Sequence, residues 1–173
     1  ITKVNKGNYD TFKAIHRNPK PVIVAVHGFV LGGGIGISGA ADIIVASECA
    51  TFAVPEVDRG AMGGGAHLQR MFPVQKVRYM YFTGDAITAQ EAYRLGAVER
   101  VVPKEQLREV AREIAAKIAA KSPLMIALAK EAGMAGMLTD VVCSLEEIHR
   151  LCNLAVAHSR KDAEPVARYI GSS

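Results

Sequence analysis

The segment Leu31-Gly-Gly-Gly-Ile-Gly-Ile-Ser-Gly39 limits what this chain can fold into more than any other stretch. It follows Pro21-Val-Ile-Val-Ala-Val-His27, an apolar run without polar alternation that predicts a strand covered on both faces. Glycines behind such a strand leave the backbone bare, so another atom can approach it closely. Gly34-Ile-Gly36-Ile-Ser-Gly39 has the G-x-G-x-x-G spacing of a dinucleotide site. That motif needs a full crossover helix and then a second strand. Here only a short helix, residues 33 to about 40, fits before Asp42 and the strand-like Ile43-Ile-Val-Ala46. A packed crossover takes about ten residues or more, so a dinucleotide site is excluded on length. Two alternatives remain. The run is a tight turn against a neighbour, or its unsatisfied N–H groups form an oxyanion hole.

The rest of the chain frames that choice. Tyr9, Phe12 and Ile15 have helical spacing over residues 8 to 18, and Asn18-Pro19-Lys20-Pro21 ends that helix. Thr51-Phe-Ala-Val54 predicts a further short strand ending at Pro55-Glu56. Gly60-Ala-Met-Gly-Gly-Gly-Ala66 is a second glycine turn, followed by helices over 67 to 72 and 74 to 82. Thr88-Ala-Gln-Glu91 has the spacing of a capping box, and Gly96 suits the position after a helix end. Val98 to Val102 predicts a strand. From Lys104 onward only helical stripes appear, one from Leu107 to Ile118 and a longer one from Leu138 to Ala155. The pattern is α/β, with residues 1–103 as a mixed core and 104–173 as a helical region.

Composition excludes several classes. The net charge of +4 is spread along the chain with no run of three basic residues, so a nucleic-acid surface is not expected. No apolar run approaches the ~20 residues of a membrane span. Cys49, Cys143 and Cys152 form no C-x-x-C pair, which argues against disulfides and for a reducing cytoplasm. No His/Cys cluster or H-E-x-x-H suggests a metal, and no cofactor is expected.

Several segments together resemble the crotonase (enoyl-CoA hydratase/isomerase) superfamily: Lys20 to Gly34, Asp42-Ile-Ile-Val-Ala-Ser47, Ala50-Thr-Phe-Ala-Val-Pro-Glu-Val57, Phe82 to Ala92 and Leu95 to Pro103. The resemblance implies a crotonase-like spiral of ββα units with a helical C-terminal, trimer-forming region, assembled as a homotrimer or hexamer. It implies an acyl-CoA thioester substrate, with coenzyme A part of the substrate. It makes Gly33 one oxyanion donor and places the other in a segment before Ile1, which leaves this chain a fragment or its first half a separate piece. Phe29, Leu31, Gly32, Gly33, Val57 and Gly64 are the implied substrate contacts.

Hydratases of the family use two glutamates. The second matches Glu56, the expected general acid/base; the first falls on Gly36, which cannot move a proton. Asp58 is a candidate replacement, because residues 56 and 58 share a face if the strand continues through Val57. Otherwise it is an acid paired with a nearby base such as Arg59. The pattern Pro-Glu-Val-Asp-Arg-Gly-Ala with a following His-Leu-x-Arg resembles the branch with ring-opening hydrolases of cyclic β-keto acyl-CoAs. There His67 lines the pocket or orients water, or else simply bonds backbone at a helix start. Three functions follow as expectations: an enoyl-CoA hydratase/isomerase, a ring-opening C–C hydrolase, or a non-catalytic acyl-CoA-binding paralogue.

Overall fold

The computed structural model describes residues 2–59 and 63–138, with the side chains of 4–59 and 63–133. Helix α1 (Thr2–His16) leads to β1 (Ile23–Val26), β2 (Phe29–Leu31) and α2 (Gly33–Ala40). Strands β3 (Ile43–Ser47) and β4 (Thr51–Ala53) repeat the strand pair, and a 3-10 helix spans Pro55–Arg59. Helices α3 (Gly65–Met71) and α4 (Val74–Thr83) precede β5 (Ile87–Thr88), α5 (Ala89–Arg94) and β6 (Arg100–Val102). After a 3-10 turn at Lys104–Gln106 come α6 (Leu107–Ala119) and α7 (Pro123–Leu138). The chain divides into two compact units, Ile1–Lys117 and Ile118–Ser173; the described element lying wholly in the second is α7. The stripe beyond Leu138, His149, His158, Cys143, Cys152 and the turn residues 60–62 lie outside the described residues.

The strands wind as a spiral. β1, β3 and β6 form one parallel sheet, with Ile23 opposite Ile43 and Val45 opposite Arg100. β2 and β4 pair in parallel in a second sheet, and β5 adds to β4 antiparallel. Each strand pair therefore stacks on the next at equivalent positions, with α2 bridging the first pair to the second. This is an α/β crotonase-like fold of mixed sheets followed by helices. Parallel pairing needs both faces covered, and the sequence supplies that cover: Val45, Ala46 and Phe52 are fully buried. Ile35 from α2, Leu68 from α3 and Met80 from α4 pack with Ala46 and Phe52 in one core, and Phe52 meets Phe72 edge to face with centroids 6.2 Å apart. Truncating Leu68 to Ala in such a site costs about 2–5 kcal/mol.

Three local expectations are corrected. Helix α1 starts at Thr2 rather than residue 8 and stops at His16, ahead of Asn18-Pro19, whose proline pushes its predecessor out of the helical region. Thr88 does cap α5, its Oγ1 accepting from the Glu91 N–H at 3.2 Å. The Glu91 carboxylate, however, is held by Arg94 at 2.7 and 2.8 Å and by Lys76 at 3.1 Å. The strand ending at Val54 does not run on through Val57. Pro55 has no N–H to give a ladder, and the chain turns into the 3-10 helix.

Candidate active site

Two adjacent parallel strands deliver the site. Phe29 lies opposite Thr51 and Leu31 opposite Ala53, so the turns leaving the ends of β2 and β4 emerge side by side. The first turn passes through Gly32, with φ +49°, into Gly33, the first residue of α2. The second carries Glu56 on the 3-10 helix. They meet: a Cβ added at Gly32 would lie 3.0 Å from Glu56 Oε1. Glycine is thus required at position 32 twice over, for its left-handed φ and for this close approach. Glu56 is half-buried, and its Oε2 is buried with no hydrogen-bond partner among the described residues. The first N–H groups of α2 lack intrahelical acceptors, and exposed Gly33 offers no side chain in front of them.

The structure separates the two acids. Asp58 packs on Gly84 at the end of α4, where an added Cβ would fall 2.9 Å from its Oδ2. A 3-10 helix turns every three residues, so positions 56 and 58 point apart where a strand would have aligned them. Asp58 is not brought to the Gly32 turn.

What stands at Gly36 instead is an aromatic ring. A Cβ built there would overlap Phe12 of α1, with Cε1 at 2.5 Å, Cε2 at 2.7 Å and Cζ closer still. Gly33 and Gly36 lie three residues apart, on one face of α2. Phe12 in turn meets the His67 ring edge-on, centroids 4.7 Å apart. Gly39, one turn further on, packs directly against the His67 backbone carbonyl, with His67 Cβ at 2.8 Å from the added Cβ position. Burial, then Arg70 and His16, hold the His67 pKa below the usual imidazole value, and its Nδ1 is buried without a partner among the described residues.

The implied acyl contacts fall into two groups. Phe29 and Leu31 share the outer face of β2, opposite buried Val30, and Val57 is also exposed; Phe29 is 84% accessible and contributes nothing to the core. Gly64, with φ +72°, precedes α3, and a Cβ added there would lie 3.6 Å from both Ile35 Cγ2 and Val54 Cγ1, so α3 begins beside α2 and the end of β4. Tyr81, which sequence reasoning missed, pins that entry: its hydroxyl donates to the Gly63 carbonyl at 2.7 Å and accepts from the Gly63 N–H at 3.1 Å. Phe12 was also missed as a site residue. Its only sequence signal was a helical stripe.

A carboxylate thus lies against the start of a glycine-opened helix, on a spiral of strand pairs. Residues 2–166 match the family Enoyl-CoA hydratase/isomerase, and the chain belongs to it. It is 49% identical over 132 residues to a (7aS)-7a-methyl-1,5-dioxo-2,3,5,6,7,7a-hexahydro-1H-indene-carboxyl-CoA hydrolase of Rhodococcus jostii, covering 76% of this chain and 51% of that one. Identity to the protein of the same description from Mycobacterium tuberculosis is 46% over 132 residues, covering 76% and 53%. The chain thus spans about half the length of these curated relatives. An enoyl-CoA hydratase structure from Bacillus anthracis superposes with a TM-score of 0.86 at 33% identity, over 97% of this chain and 67% of that one. Among the described residues no helix is long and apolar enough to cross a membrane, and no group of three or more His, Cys, Asp or Glu could hold a metal ion.

Proposed function

We propose that this chain carries the acid/base half of a ring-opening C–C hydrolase acting on a cyclic β-keto acyl-CoA. One observation carries the choice over simple hydration: the place of the first hydratase glutamate is glycine, and Phe12 fills the space beside it. Hydration wants two carboxylates around one water. Retro-Claisen cleavage is served by one base and one oxyanion hole. Similarity to two hydrolases of a bicyclic dioxo carboxyl-CoA supports the same side.

In this reaction Glu56 takes a proton from water as its oxygen attacks the ring ketone. The bond between that carbon and the thioester α-carbon then breaks. Its electron pair passes to the α-carbon and is delocalised as an enolate on the thioester oxygen. The Gly33 N–H stabilises that oxygen, together with a donor from the segment expected before Ile1. Glu56 returns the proton to the α-carbon, so one molecule of water is added and one carboxylate appears.

The test is mass spectrometry of the intact protein with 2-oxocyclohexanecarbonyl-CoA and, separately, with crotonyl-CoA, while free coenzyme A is followed with a thiol reagent. Ring opening gives a one-water gain on the cyclic substrate, no thiol release and no gain on crotonyl-CoA. Water addition to crotonyl-CoA alone would restore the hydratase; thiol release would mean thioester hydrolysis instead.

A further inference from the structure

Between α1 and α3 lies a cavity of about 320 Å³ that the chemistry above does not use. Phe12 and His67 line it with Tyr9 and Ala66, and its charged lining is Lys13, His16, Arg17 and Arg70. Every charged side chain there is basic, and among the described residues no acidic side chain lines it. Arg70 Nη1 donates to His16 Nδ1 at 3.4 Å, which fixes one side of the guanidinium and leaves its other N–H groups to a ligand. The His67 pKa is depressed partly by these same two neighbours, which marks the site as electropositive. The Nδ1 of His67, buried without a partner among the described residues, belongs to the same lining.

We propose that this cavity is a carboxylate subsite in which Arg70, with His16 beside it, holds a substrate or product carboxylate remote from the thioester. The source of that carboxylate rests on the ring-opening reaction proposed above, which creates one from the attacked ketone. Phe12 ties the two places together, since its ring touches Gly36 on the oxyanion-hole helix and His67 in the cavity wall. An arginine fork suits a planar carboxylate, and His16, accepting from Nη1, orients that fork.

Calorimetry on the intact protein tests this with adipoyl-CoA against hexanoyl-CoA and pimeloyl-CoA against heptanoyl-CoA. Each pair shares the same coenzyme A phosphates and differs in the terminal carboxylate. Wild type is expected to bind at least one carboxylated member about tenfold or more tightly. Arg70→Met should remove the preference while leaving affinity for the uncharged partner unchanged, and His16→Gln should reduce it. Equal affinity within both pairs, a preference that survives Arg70→Met, or an equal loss for both members of a pair would overturn the subsite; the last would assign Arg70 to a coenzyme A phosphate. Turnover of the cyclic substrate, scored in parallel, separates the two proposals. Turnover without a carboxylate preference discards the subsite and keeps the reaction; the preference without turnover does the reverse.

Discussion

Gly32 and Glu56 constrain each other: the left-handed turn at φ +49° leaves the Glu56 carboxylate only 3.0 Å from where a Cβ would begin. Gly32→Ala meets both obstacles. A sparsely allowed backbone of this kind (φ +49°, ψ −110°) costs a non-glycine residue about 1–3 kcal/mol, and Oε1 must also shift. Urea unfolding should show a loss of that size, and turnover should fall further than the small change in folded fraction explains. A variant as stable and as active as wild type would show that the contact has no consequence.

Glu56→Gln separates chemistry from stability. The carboxylate is half-buried and its Oε2 has no partner among the described residues, so the amide loses little packing. Thermal melts should superpose within error. Turnover should drop roughly 10²–10⁴-fold, the range for removing a general acid/base. Residual activity near wild type would move the proton transfer to another group.

Position 36 offers a gain-of-function test. Gly36→Glu alone places its Cβ inside the Phe12 ring, so it should destabilise the fold and hydrate nothing. Gly36→Glu with Phe12→Ala frees that space and gives the site two carboxylates. Crotonyl-CoA hydration above wild type is expected only in the double variant. Hydration by the single variant would mean that Phe12 does not exclude the second acid.

His67 makes stability depend on pH in a defined direction. Its pKa in the folded state lies below the ordinary imidazole value of 6.5, chiefly through burial. The unfolded chain therefore binds the proton more readily, and stability falls as pH drops from 6.5 toward the lowered folded value. Replacing the side chain by His67→Gln should flatten denaturant midpoints across that window and leave those at pH 8 nearly unchanged. An unaltered acid slope would assign it to other groups.

Much of this was legible in the sequence, and the exceptions share a cause. Val22–Val26 and Ile43–Ala46 read as strands because a short, unbroken, β-branched apolar run between turn residues suits a strand buried on both faces. β3 is buried so, whereas β1 is only half-buried with Ala25 exposed. Phe29–Leu31 gave no such signal: between Gly28 and Gly32, with only Val30 buried, it is a strand through its pairing with β4. Ile87–Thr88 is a strand for the same reason. The Glu56–Gly32 meeting was implied by family motifs, whereas the parting of Asp58 depended on a 3-10 turn that Pro55 permits but does not dictate. Phe12 against Gly36 was invisible, because nothing in a helical stripe says which glycine its ring will cover.

Because β4 repeats β2 at equivalent positions, the two proton-handling places implied by the family, 36 and 56, belong to successive coils of one winding. Each sits on its own connecting segment, and neither strand pairing depends on what side chain occupies it. An ancestor could therefore lose the acid from one coil and keep the other without redrawing the scaffold. Reaction type in such a protein is a removable fitting, exchanged one residue at a time, while the wound frame that presents both positions is inherited whole.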